Sequence, residues 1–217
     1  MRTVPTHHRS AFSLIELLLV VAVIMLLMTM AQMALSNVSN STRLSTSAQV
    51  VGDAFNLARQ IAVAQNQYVQ VRLFSLKDTP GKYSVIGIYR SDMPYYLADY
   101  APVETAGKMR KEGQFKKLQD PVVLWSSAQH STLLSILEGE TLRKGTTTKI
   151  DGKDYDWVSF YFRPDGAMDV KLPSASTDNF ATLTMISSGG QQGNQLPQNF
   201  VTLTLDPING RFRVLRP

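Results

Sequence analysis

The chain has 217 residues, a formal net charge of +5, a 44% hydrophobic share and no cysteine. Disulfides, thiolate metal centres and cysteine nucleophiles are therefore excluded. Three histidines, His7, His8 and His130, are too few and too scattered for a histidine triad or a multi-histidine metal site. From Ser36 onward there are 20 basic and 16 acidic residues, a mild excess that suits an acidic partner surface without demanding nucleic acid.

The first eleven residues are short, polar and acid-free, with Arg2 and Arg9. From Leu17 to Ala31 only Thr29 is not apolar. Continued to Leu35, the run makes roughly 28 Å of helix, close to the hydrocarbon thickness of a bilayer. The next basic residue is Arg43, so the positive-inside rule puts the N-terminus in the cytoplasm and the remainder outside. A secretory signal would be cut at a site such as Thr29-Met30-Ala31, and a plain signal anchor would keep everything. Neither explains Glu16, a carboxylate that costs ~2–3 kcal/mol inside such a span unless a cation pairs with it.

Ala11-Phe12-Ser13-Leu14-Ile15-Glu16, followed by the Leu/Val run, resembles the type III signal of type IV pilins and type II secretion pseudopilins. The resemblance implies that a prepilin peptidase cuts between Ala11 and Phe12 and N-methylates Phe12. It also implies that Glu16 pairs with the N-terminal ammonium of a neighbouring subunit during filament assembly. Opposite charges attract strongly once both are desolvated. Family members usually carry Gly before the cut, and Ala11 in that place implies slower cleavage.

Beyond Leu35, residues 36–42 are Ser, Asn, Val and Thr, weak helix formers. Leu44, Ala48, Val51, Phe55, Ala58 and Ala62 then recur at spacings of four and three, one face of an amphipathic helix. No proline occurs between Pro5 and Pro80, so one helix is predicted from about Ser13 to Gln65, weakest at 36–42.

The period then falls to two. Val69, Val71 and Leu73 alternate with polar residues, and a hairpin is predicted through Asp78-Thr79-Pro80-Gly81 into Tyr83–Tyr89. Residues 91–117 read as an irregular insertion. Further strands are predicted at 121–125, 157–162, 180–186, 200–205 and 211–215, with a short turn at 131–138. Asp151-Gly152-Lys153-Asp154-Tyr155-Asp156 misses the calcium-loop spacing and reads as an inter-strand turn.

These expectations make an α+β protein: a leader (1–11), a membrane-spanning half-helix (12–35), a soluble amphipathic half (36–67), and an antiparallel β-sheet or sandwich domain (68–217). The segments Ala58-Arg59-Gln60-Ile61-Ala62, Phe160 to Gly166 and Asn209 to Val214 resemble the H-type (FimT-like) minor pseudopilins. The Verru_Chthon cassette protein D family is a further home to which the chain is similar. No phosphate loop, nucleophile triad or paired-histidine helix is present, so no enzyme and no cofactor is expected. The resemblance implies prepilin peptidase, other pilin subunits and the inner membrane as partners. In some FimT-like pilins a Gly-Arg-x-Arg binds DNA. Here Gly210-Arg211-Phe212-Arg213, with Arg216 nearby, could hold phosphates while the ring stacks on a base. The plain alternative is a last strand with solvated arginines. Lys108, Arg110, Lys111, Lys116 and Lys117, offset only by Glu112, read as a solvated basic loop or a contact for anionic lipid or a partner.

Overall fold

The computed structural model describes residues 13–91, 109–140, 143–170, 172, 179–189 and 195–216, with backbone alone at 30–38, 91, 146 and 147. Helix α1 spans Leu14–Gln65 in one run. The weak stretch stays helical. Just beyond it, Ser45 Oγ and Thr46 Oγ1 donate to the Ser41 and Thr42 carbonyls, at 2.9 and 3.0 Å, so these hydroxyls bond back within the helix. Two compact units meet between Asn40 and Ser41, within this stretch.

In the first unit every described side chain from Ser13 to Thr29 is exposed. Leu14, Ile15, Leu17–Leu19, Val20 and Met25–Met28 make this turn of chain apolar on all sides. Among the described residues no helix is long and apolar enough to cross a membrane. The expected span reaches Leu35, and its last six side chains, 30–35, lie outside the described residues, as does the predicted leader, 1–11.

The second unit continues with β1 (Val69–Leu76), β2 (Lys82–Ser91), β3 (Met109–Lys117), β4 (Val122–Trp125), α2 (Thr132–Gly139), β5 (Lys144–Ile150), β6 (Lys153–Phe162), β7 (Ala181–Ser187), β8 (Phe200–Asp206) and β9 (Arg211–Leu215). The strands form one antiparallel sheet ordered β5-β6-β1-β2-β4-β7-β8-β9, with β3 also on β2. The sheet-or-sandwich alternative thus resolves to a single sheet. Two further expectations are corrected. Residues 109–117, expected within an irregular insertion, form a strand, while 92–108 lie outside the described residues. Residues 132–139 form two turns of helix rather than one, burying Leu133, Leu134 and Leu137.

One face of the sheet packs on the C-terminal half of α1. Leu44, Ala48, Val51, Phe55, Ala58 and Ala62 join Val69, Val71, Leu73, Phe160, Phe162, Leu183 and Leu203 in the main core. The alanines let the helix lie close, and Phe55 meets Phe160 edge-on at 5.3 Å. The other face carries a second cluster of Phe74, Val85, Tyr89, Ile150, Tyr155 and Trp157. Gln70, a polar residue of the predicted alternation, is fully buried there. Its amide donates to Ser159 Oγ at 2.9 Å and Tyr161 Oη at 3.0 Å, and accepts from Arg72 Nε at 2.7 Å. The Arg72 guanidinium lies over the rings of Tyr89 and Trp157, at 4.2 and 4.1 Å.

The sheet forks at β2, where Lys82 and Tyr83 pair with β4 and Val85–Ser91 pair with β3. Short β4 reaches only Met185 of β7, so the earlier β7 backbone lacks a strand partner on that side. The start of α2 replaces it. Ser131 Oγ accepts from Thr184 N–H at 2.9 Å, and Thr132 Oγ1 accepts from Thr182 N–H at 2.8 Å. At the other end, Glu138 accepts from Tyr83 Oη at 2.8 Å and Ser126 Oγ at 2.6 Å, tying the helix to β2 and to the exit of β4.

Candidate functional site

Ala11 and Phe12 lie outside the described residues, which begin at Ser13. Ser13 caps α1. Its Oγ and carbonyl accept from the Glu16 N–H, at 3.3 and 3.1 Å. Ser13-x-x-Glu16 has the spacing of a capping box, a signal present in the sequence that the membrane reading of Glu16 passed over. The acid therefore sits in the first turn of the helix, where its charge complements the exposed N–H groups. Among the described residues no cation pairs with Glu16, and its residue is exposed.

The second site is built where the three chain segments noted above come together. The Arg59 Nε of α1 donates to the carbonyls of Gly166 and Asn209, at 3.2 and 3.0 Å, and so pins the β6 exit turn to the β8–β9 turn. Gly210 has φ +64, and a Cβ there would stand 2.1 Å from the Gly166 oxygen. Asp206 closes the β8–β9 turn. Its carboxylate accepts from Ile208 N–H at 2.9 Å and Asn209 Nδ2 at 2.6 Å, and its carbonyl accepts from Gly210 N–H at 2.8 Å. The Pro164-Asp165-Gly166 and Asn209-Gly210-Arg211 segments thus serve one structural clamp, a role for Arg59 that the sequence reading missed.

Strand β9 leaves this clamp along the edge of the sheet. Phe212 turns inward against the core, and a Cβ on Gly52 of α1 would meet its ring at 2.7 Å. Arg211 and Arg213 lie on the opposite face by strand alternation and are exposed, as is Arg216. This corrects the expected pairing of arginines with a stacking ring. Phe212 is committed to the helix side, so the arginines face solvent without it.

The basic cluster is also corrected. Lys108 lies outside the described residues, and Arg110, Lys111, Lys116 and Lys117 stand on β3 rather than in a loop. Lys117 pairs with Asp151, and Lys111 Nζ covers the Phe115 ring at 4.3 Å. Asp151 and Gly152, both with positive φ, form the two-residue turn of the β5–β6 hairpin.

Residues 6–32 match the family model of the prokaryotic N-terminal methylation motif, which is consistent with a type IV pilin-like protein. No curated protein and no solved structure matches the chain.

Proposed function

We propose that the chain is a minor pilin-like subunit, a pseudopilin, of a type II secretion or type IV pilus filament. The observation that carries this reading is the methylation motif over residues 6–32, with a helix opening inside it at Leu14 and an antiparallel sheet following. In this account prepilin peptidase removes residues 1–11 and methylates Phe12. Residues 12–35 then hold the subunit in the inner membrane, with the N-terminus cytoplasmic and the β domain periplasmic. Cleavage creates an ammonium at the start of a helix, where the dipole disfavours positive charge. A carboxylate in low dielectric offsets that cost, and an unpaired Glu16 in turn penalises the lone subunit. Pairing Glu16 with a neighbour's Phe12 amine relieves both and sets the axial register.

The test is Glu16→Ala. Leader removal should proceed as in the parent, while the subunit recovered in sheared filaments should fall at least tenfold. Entry at the parent level contradicts the ion-pair account.

A second reading, a DNA-binding minor pilin, is supported by exposed Arg211, Arg213 and Arg216, which have no carboxylate partner among the described residues. It requires salt-sensitive binding that the Arg211→Ala, Arg213→Ala double variant abolishes.

A further inference from the structure

The described sheet has three open edges, and they are not alike. On β3 the register with β2 shifts between Ile86 and Ile88, with Gly113 at φ +70, and on β5 the register with β6 shifts between Gly145 and Thr148. Such bulges interrupt an edge and discourage a further strand. Strand β9 has none. Its register with β8 runs unbroken from Thr202↔Leu215 to Asp206↔Arg211, and no described strand pairs with its other side. The clamp at Arg59, Gly166 and Asn209 fixes where β9 begins, and Phe212 seated at Gly52 fixes its face.

The open backbone is flanked by Arg211 and Arg213, two residues apart on the solvent face, and followed by Arg216. Asp206, across from Arg211, spends its carboxylate on its own turn. A second copy fits poorly, because antiparallel self-pairing centred on Arg213 sets guanidinium against guanidinium. A single-stranded nucleic acid would leave the main-chain donors and acceptors unused, and the adjacent Phe212 ring packs against the core on the opposite face from the arginines. The occupant that satisfies both backbone and charge is an extended peptide with acids two residues apart.

We propose that β9 is a docking edge that takes an acidic, extended segment of a partner protein as an added strand, its alternate carboxylates facing Arg211 and Arg213. The main chain would supply affinity and the arginines selectivity. This proposal does not depend on cleavage at Phe12.

The test uses the full chain in detergent micelles and a labelled nine-residue peptide of alternating Glu and Thr, read by fluorescence anisotropy. The peptide should bind, and the Arg211→Ala, Arg213→Ala double variant should weaken binding at least tenfold. The same peptide with every backbone nitrogen methylated, identical in charge, should not bind the parent protein. Three results overturn the proposal: no peptide binding, equal binding of the methylated peptide, or displacement of the peptide by a thymidine oligonucleotide at lower concentration. The last would assign the edge to nucleic acid.

Discussion

Gly210 and Gly152 both hold left-handed backbone, yet their surroundings differ. A Cβ at Gly210 would strike the Gly166 carbonyl and crowd Phe162 and Arg59, whereas a Cβ at Gly152 meets open space. Gly210→Ala should therefore cost about 3 kcal/mol, from backbone strain plus a forced shift of the clamp. Gly152→Ala should cost only the conformational penalty, about 1 kcal/mol. Urea unfolding of the two variants checks the contrast, and equal losses would mean that the two turns do not meet. Tyr161 gives a pH signature. Burial, opposed by the charges of Arg72 and Arg143, pushes its hydroxyl up to about 12. A raised tyrosine pKa means the neutral form is favoured in the folded chain. That stability is fully present below pH 10 and is lost as pH rises through about 12. Absorbance at 295 nm should show a tyrosine class ionising late, with unfolding following it. Complete ionisation near the ordinary tyrosine value in the folded protein would contradict the buried Gln70–Tyr161 network.

At the scale of elements, α2 stands in for missing strand. Ser131→Ala removes the acceptor of the Thr184 N–H and leaves a buried donor unpaired, which should cost about 1–3 kcal/mol. Hydrogen exchange should accelerate at the Thr184 amide more than at Leu203, in the neighbouring strand. Uniform acceleration would deny α2 its local role. The same element shows why part of the fold was legible in sequence and part was not. Trp157–Phe162 and Phe200–Leu205 were readable as strands because their side chains are large, β-prone and bounded by turn residues. Lys144-Gly145-Thr146-Thr147-Thr148-Lys149 and Arg110-Lys111-Glu112-Gly113 carry no such pattern. They are edge strands whose order comes from β6 and β2 rather than from their own burial. The period of two in β1 promised one polar face, but Gln70 and Arg72 are enclosed by Tyr161, Tyr89 and Trp157. Nothing local in β1 announces that a second cluster covers them.

For the whole molecule, the sequence pointed to the two candidate sites more clearly than it resolved either. Glu16 stood out because an acid in an apolar run is costly, and the methylation motif over 6–32 agrees with the class that this anomaly suggested. Its place at the third position of a capped helix was also written in Ser13-x-x-Glu16. The C-terminal arginines were visible, but the fate of Phe212 was not, since it depends on Gly52, 160 residues earlier in the chain. The account joins these parts into one device: a helix released for assembly by cleavage, carrying a β domain whose clamp and open edge lie at the other end of the sequence. The most direct measurement is the intact mass of the protein extracted from membranes of a cell with an active prepilin peptidase. The account predicts a chain that begins at Phe12 and carries one added methyl group. A chain that begins near Gln32, or one that keeps Met1 to Ala11, contradicts it.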